Sequence, residues 1–160
     1  LWNKMKDPIA RLQRRMRVRI VLDTNVTLSA LLWRGTPYRL LEAIRQRGDV
    51  QLISSAALLE ELADVLTRPS PAKRLAVIGK TAQAVLADYV EVVEVVTPTE
   101  VPRVVPGDAD DDHVIAAAVA GSADLIVSGD SDLLGIGSHQ GIAIVSAAEA
   151  IGRIEATGRT

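Results

Sequence analysis

The chain has 160 residues, 48% of them apolar and 24% charged, with a formal net charge of −2. That is long enough for one domain with a sizeable core and too apolar for a disordered chain. With no Cys and only two His, disulfides, zinc–thiolate sites, thiol nucleophiles and histidine-rich metal centres are excluded, and any metal site must use oxygen ligands suited to Mg²⁺ or Mn²⁺.

The charge is unevenly spread. Residues 1–19 hold Lys4, Lys6, Arg11, Arg14, Arg15, Arg17 and Arg19 against Asp7 alone, a balance of +6 that leaves −8 on the remainder. Such an arm can contact nucleic acid or an anionic surface. The chain opens on Leu1, and Met16 stands directly before the first apolar run, so residues 1–16 are expected to be a basic extension outside the native fold. No stretch has the length of a secretory signal or a membrane span, which predicts a cytoplasmic protein without membrane contact.

In chain order, RVRIVLD (17–23) reads as a buried strand stopped by Asp23. VTLSALLWRG (26–35) turns helical, and TPYRLLEAIRQRG (36–48) follows with Thr36 as N-cap, Pro37 at the first helical position and Gly48 as its end. VQLIS (50–54) is a second strand, and SAALLEELADVLTRP (55–69) a helix capped by Ser54 or Ser55 and stopped before Pro69. Residues 70–79 are expected to be a short helical piece or a loop. KTAQAVLADYVEVV (80–93) is helical with a strand at its end, and TPTEVPRVVPGD (97–108) connects. DDHVIAAAVAG (111–121) is a helix, ADLIVSGD (123–130) a strand, SDLLGIG a helical turn, GIAIVS (141–146) a strand and AAEAIGRI a closing helix. Strands alternating with helices predict a single three-layer α/β/α sandwich around a mostly parallel sheet.

Ligands of such sheets bind beyond the carboxyl ends of the strands. Asp23 ends the first strand, Asp130 and Asp132 follow the DLIVSG strand, Asp112 opens the helix leading into it, and Glu61 lies two turns into the helix after the second strand. Each has a plainer reading. Asp130 can cap the turn at Ser131, Glu61 can be solvated like Glu60, and the run Asp108, Asp110, Asp111, Asp112 can be solvated charge at a helix start. Asp23 is harder to dismiss, because a charge closing an apolar strand seldom lies far from the interior. Gathered together, the carboxylates would repel and raise one another's pKa unless a divalent cation lay among them.

VLDTNV (21–26), ISSAALLEELADVLTRP (53–69), DADDDHVIAAAVAGSADLIVSGDSDLL (108–134) and GIAIVSAAEAI (141–151) together resemble the PIN-domain ribonucleases, often the toxins of toxin–antitoxin pairs. DTN or DSDL alone is a weak signal; the ordered set, covering nearly all of 18–151, is a strong one. The resemblance implies a PIN-like domain over 17–155, with Asp23, Glu61, Asp112 and Asp130 catalytic and Asp23, Asp112, Asp130 and Asp132 holding one or two Mg²⁺ or Mn²⁺ ions. It makes Asn25 and Ser128 their hydrogen-bond partners; Ser128 stands where Thr is more usual. Asp108, Asp110 and Asp111 have no fixed role in it and are expected to be solvated. The implied reaction is metal-dependent hydrolysis of single-stranded RNA, brought in by Arg34, Arg39, Arg68, Lys73 and Arg74. Each of these, taken singly, is also an ordinary surface charge. Tyr38 and Trp33 could stack on bases, although packing suits Trp33 better. An antitoxin partner and a homodimer are also implied by the family.

Two other readings compete. DTNVT (23–27), LISS (52–55) and GDSD (129–132) loosely resemble haloacid-dehalogenase-like phosphatases, but Asn25 replaces their general acid and leaves Glu61 and Asp112 unexplained. A scaffold that binds RNA or a partner without cutting is the non-enzymatic alternative. GIGSHQG (135–141) and GKT (79–81) lack the spacing of nucleotide-binding loops, and His113 suits a capping or solvated role.

Overall fold

The computed structural model describes residues 17–101 and 109–157. The basic extension expected at 1–16 and most of the connector's second half lie outside them. Among the described residues the chain runs β1 (Val18–Leu22), α1 (Thr24–Leu32), α2 (Thr36–Arg45), β2 (Val50–Ser55), α3 (Ala56–Val65), α4 (Pro69–Ile78), α5 (Ala82–Val92) and β3 (Val93–Val96). It continues through α6 (Ala109–Ala120), β4 (Leu125–Val127), α7 (Ser131–Ile136), β5 (Ser138–His139), β6 (Ile142–Val145) and α8 (Ala147–Thr157). No helix among these residues is long and apolar enough to cross a membrane.

The strands form one sheet in the order β3-β2-β1-β4-β6-β5, parallel except for β5. Alternation along β1 sends Ile20 and Leu22 into one apolar cluster and Val21 into the other. The first cluster packs side chains of α1, α2, α5 and α8; the second packs α6 and α7 on the opposite face. The expected three layers are therefore present. From β1 the chain builds outward through β2 and β3, then returns to place β4 on the other side of β1. The strand order reverses between β1 and β4, where open parallel sheets hold ligands.

Several local expectations need correction. Of the two alternatives for residues 70–79 the helical one holds, as a full helix: Pro69 and Pro71 sit in the first turn of α4, where a missing N–H costs nothing. Gly35, not Thr36, is the N-cap of α2, and the helix ends at Arg45, before Gly48. β5 was not foreseen, since two polar residues at an antiparallel edge leave no periodic signal.

Two contacts set the spacing of the layers. A Cβ on Gly121, at the end of α6, would lie 2.7 Å from Ile53 Cγ2 and 2.9 Å from its Cδ1, so glycine is what lets the helix end approach β2. Arg19 crosses from β1 to donate through Nε to the Gly121 carbonyl at 2.7 Å and pairs with Glu94 of β3.

Candidate active site

Leu22 pairs with Val127, and one residue further the Asp23 N–H donates to the Val127 carbonyl at 3.0 Å. This carries the β1–β4 ladder past the strand end and sets Asp23 beside Ser128. Asp23 is also the N-cap of α1: its extended backbone lets Oδ1 accept the Val26 N–H at 2.8 Å, while Oδ2 accepts a hydrogen bond from the Ser128 hydroxyl.

Ser128 is 1% exposed and connects two acids. Besides donating to Asp23, its Oγ accepts the Asp130 N–H at 2.9 Å. Asp130, half-buried, caps α7 by accepting the N–H groups of Asp132 (2.7 Å) and Leu133 (3.4 Å) on Oδ1. The capping role weighed for Asp130 is thus real, and it coexists with a place beside Asp23.

Burial pushes the Asp23 carboxyl above the usual carboxylate range. Hydrogen bonds from Ser128 and Val26 oppose the shift, the Asp130 charge adds to it, and the Gly129 N–H again opposes it. Asp23 and Asp130 each stand at a helix N-terminus, where their side chains accept free backbone N–H groups.

Glu61 reaches this edge from α3. It is half-buried, whereas Glu60 is exposed, and its Oε2 accepts the Thr24 hydroxyl at 2.9 Å. Asp112 is 6% exposed in the first turn of α6, which packs on β1, β2 and β4. Asp111 is 7% exposed, against the expectation that it is solvated; packing of the helix start, invisible in the local sequence, buries both. Asp108 lies outside the described residues, and Asp110 is described only as part of the helix backbone. Asp132 is exposed in the first turn of α7.

Other expected residues fall elsewhere. Asn25 is exposed as the second residue of α1 and makes no side-chain hydrogen bond among the described residues; Val26 and Ser128 fill the supporting role expected of it. Arg74 donates through Nε to the Leu32 carbonyl at 2.7 Å, satisfying the far end of α1. At 1.5 Å per residue that end lies about 12 Å from Thr24 along the helix axis. Arg34, just beyond it, stacks over the Tyr38 ring at 5.2 Å, which covers the ring proposed for base stacking. Arg39 donates to Thr36 and Lys73 is exposed. Arg68 faces Asp64 at 3.5 Å, and Trp33 packs against the core.

Among the described residues no three of His, Cys, Asp and Glu converge tightly enough to enclose a cation. The donor set is nonetheless suited to a hard one. Asp23 is a buried carboxylate that feels the charge of Asp130, and Mg²⁺ commonly takes one or two carboxylates and keeps several waters. The arrangement fits an open, water-completed site and not a closed cage. Sequence reading passed over Thr24, whose signal was available in its position next to the acid that ends the strand.

A family model described as PIN domain matches residues 19–132. Among solved structures, VapBC2 from Rickettsia felis bound to a DNA fragment from their promoter is similar, with TM-score 0.54 and 14% identity, over 79% of this chain and 97% of that one. FitAcB from Neisseria gonorrhoeae is similar with TM-score 0.50 and 20% identity, over 81% of this chain and 98% of that one. Comparison with curated proteins returns no match.

Proposed function

The chain belongs to the PIN-domain family, and from that premise we propose that it is a divalent-metal-dependent endoribonuclease that hydrolyses single-stranded RNA as the toxin of a toxin–antitoxin pair. The observation that carries this reading is the coupling of Asp23 and Asp130 through Ser128 at the point where strand order reverses.

The residues have distinct tasks. Asp23 and Asp130 would hold one or two Mg²⁺ or Mn²⁺ ions in an open, water-completed site, and Asp112 and Asp132 would act on the ions' hydration shell. A bound cation supplies an activated water and neutralises charge on the phosphoryl oxygens. Ser128 and the Val26 N–H hold the Asp23 carboxylate in one orientation. Glu61, fixed by Thr24, would hold a water of the cation's shell, orient it for attack and take its proton. Without a cation this edge would repel an RNA phosphate, so cation and substrate binding are coupled.

Arg34, Arg39, Lys73 and Arg74 would meet flanking phosphates away from the scissile bond, since Arg34 and Arg74 sit at the far end of α1. An antitoxin covering the acidic edge, a homodimer and action in the cytoplasm belong to the same proposal, supported by the family resemblance.

The test is a panel of labelled single-stranded RNA, single-stranded DNA and para-nitrophenyl phosphate, each with Mg²⁺, Mn²⁺ or EDTA. Metal-dependent cuts within RNA support the reading. Phosphatase turnover without RNA cleavage would favour the phosphatase alternative, and metal binding without turnover the scaffold.

A further inference from the structure

Thr24 is the first residue of α1 and is 7% exposed. A buried hydroxyl needs an acceptor. Further along the helix Thr27 finds one locally, donating to the Asp23 carbonyl at 2.9 Å. Thr24 has no such option: the carbonyl four residues back belongs to β1 and not to a preceding helical turn. Its hydroxyl instead spans to α3 and donates to Glu61 Oε2 at 2.9 Å.

We infer that Thr24 is a positioning residue, whose hydroxyl holds the Glu61 carboxylate at the same sheet edge as Asp23; the inference rests on the nuclease reading of this site. Glu has three side-chain torsions, and half-burial alone does not select one rotamer. A hydroxyl donor to a carboxylate is a charge-assisted bond that does. The geometry is economical because Asp23 and Thr24 are adjacent. Asp23 turns to Ser128 and β4, Thr24 turns to Glu61 and α3, and one helix start fixes two acids from different elements. Thr24 acts through Glu61 and does not touch the reacting atoms.

The test compares Thr24→Val, which keeps the shape and removes the donor, with Thr24→Ser, which keeps the donor. Thr24→Ala serves as a second donor-free variant should valine disturb packing. Two readouts are needed: kcat and KM on single-stranded RNA, and Mn²⁺ affinity by electron paramagnetic resonance without RNA. Losing such a supporting partner typically costs about 10–100-fold in metal affinity or activity. Thr24→Val should lose that much in kcat and Mn²⁺ affinity with KM for RNA little changed, and Thr24→Ser should recover most of it. In a Glu61→Ala background the effect of Thr24→Val should disappear. Equal losses in the valine and serine variants, or additive losses with Glu61→Ala, would overturn the inference. So would wild-type Mn²⁺ affinity in both donor-free variants. Should the wild type bind Mn²⁺ yet cleave no RNA, the nuclease reading fails, and the Mn²⁺ titrations still decide the role of Thr24.

Discussion

Asp23 has 4% of its surface exposed, and this burial raises the pKa of its carboxyl. The sign of the consequence is definite. Below the unfolded value near 3.8 both states are protonated and the residue is neutral to stability. As pH rises toward the raised folded pKa, the unfolded chain releases its proton first, so stability falls through that window and stays lower above it. Asp23→Asn keeps an acceptor for Val26 and removes the buried charge. It should raise Tm at neutral pH by about 2–4 °C, the change that roughly 1 kcal/mol makes in a domain of this size. The gain should vanish below pH 3.8, and a melting series across pH checks it; equal Tm values at neutral pH would argue against a desolvated carboxylate. Tyr89 shows the matching case at alkaline pH. It is fully buried, hydrogen-bonded with Thr27, and pushed up to about 12. Stability should fall as pH rises above 10, where the unfolded tyrosine ionises and the folded one does not. Tyr89→Phe should remove that alkaline dependence at a cost of about 1 kcal/mol at neutral pH.

At the scale of elements, α6 is the helix whose position matters most, since it carries Asp111 and Asp112 and is followed directly by Gly121. Gly121→Ala would drive a methyl into Ile53, itself 1% exposed, and α6 must shift off β2. The expected loss is about 1–3 kcal/mol, the usual cost of overpacking, read from urea unfolding. Much of this level was legible beforehand. β1 and β6 announce themselves as short β-branched runs, and α6 as an apolar run ended by glycine. The helix α4 was only half legible, as a helical piece or a loop, because its prolines read as breakers and only Pro71 and Leu75 of it are buried. The burial of Asp111, the exposure of Asn25 and the diversion of Arg74 to Leu32 were not legible, because each depends on contacts between elements distant in sequence.

For the molecule as a whole, the two strand-end acids could be located from sequence because a parallel sheet gathers its carboxyl ends at one edge. How they are tied together could not, since Ser128 reaches Asp23 across 105 residues. A cation bound at that edge stabilises the fold by mass action. At a hundredfold excess over Kd, Mg²⁺ or Mn²⁺ should raise the wild-type Tm by about 5–10 °C, equivalent to roughly 2.7 kcal/mol, and leave Asp23→Asn nearly unmoved. An equal shift in both proteins would place the cation elsewhere. The most direct test of the central claim is the rate of single-stranded RNA cleavage in saturating Mn²⁺ by Asp23→Asn beside the wild type, at a temperature where both are folded. The account predicts a loss of at least about 100-fold, the kinetic equivalent of roughly 2.7 kcal/mol, in a variant at least as stable as the wild type. A folded Asp23→Asn that cleaves RNA at the wild-type rate would contradict it.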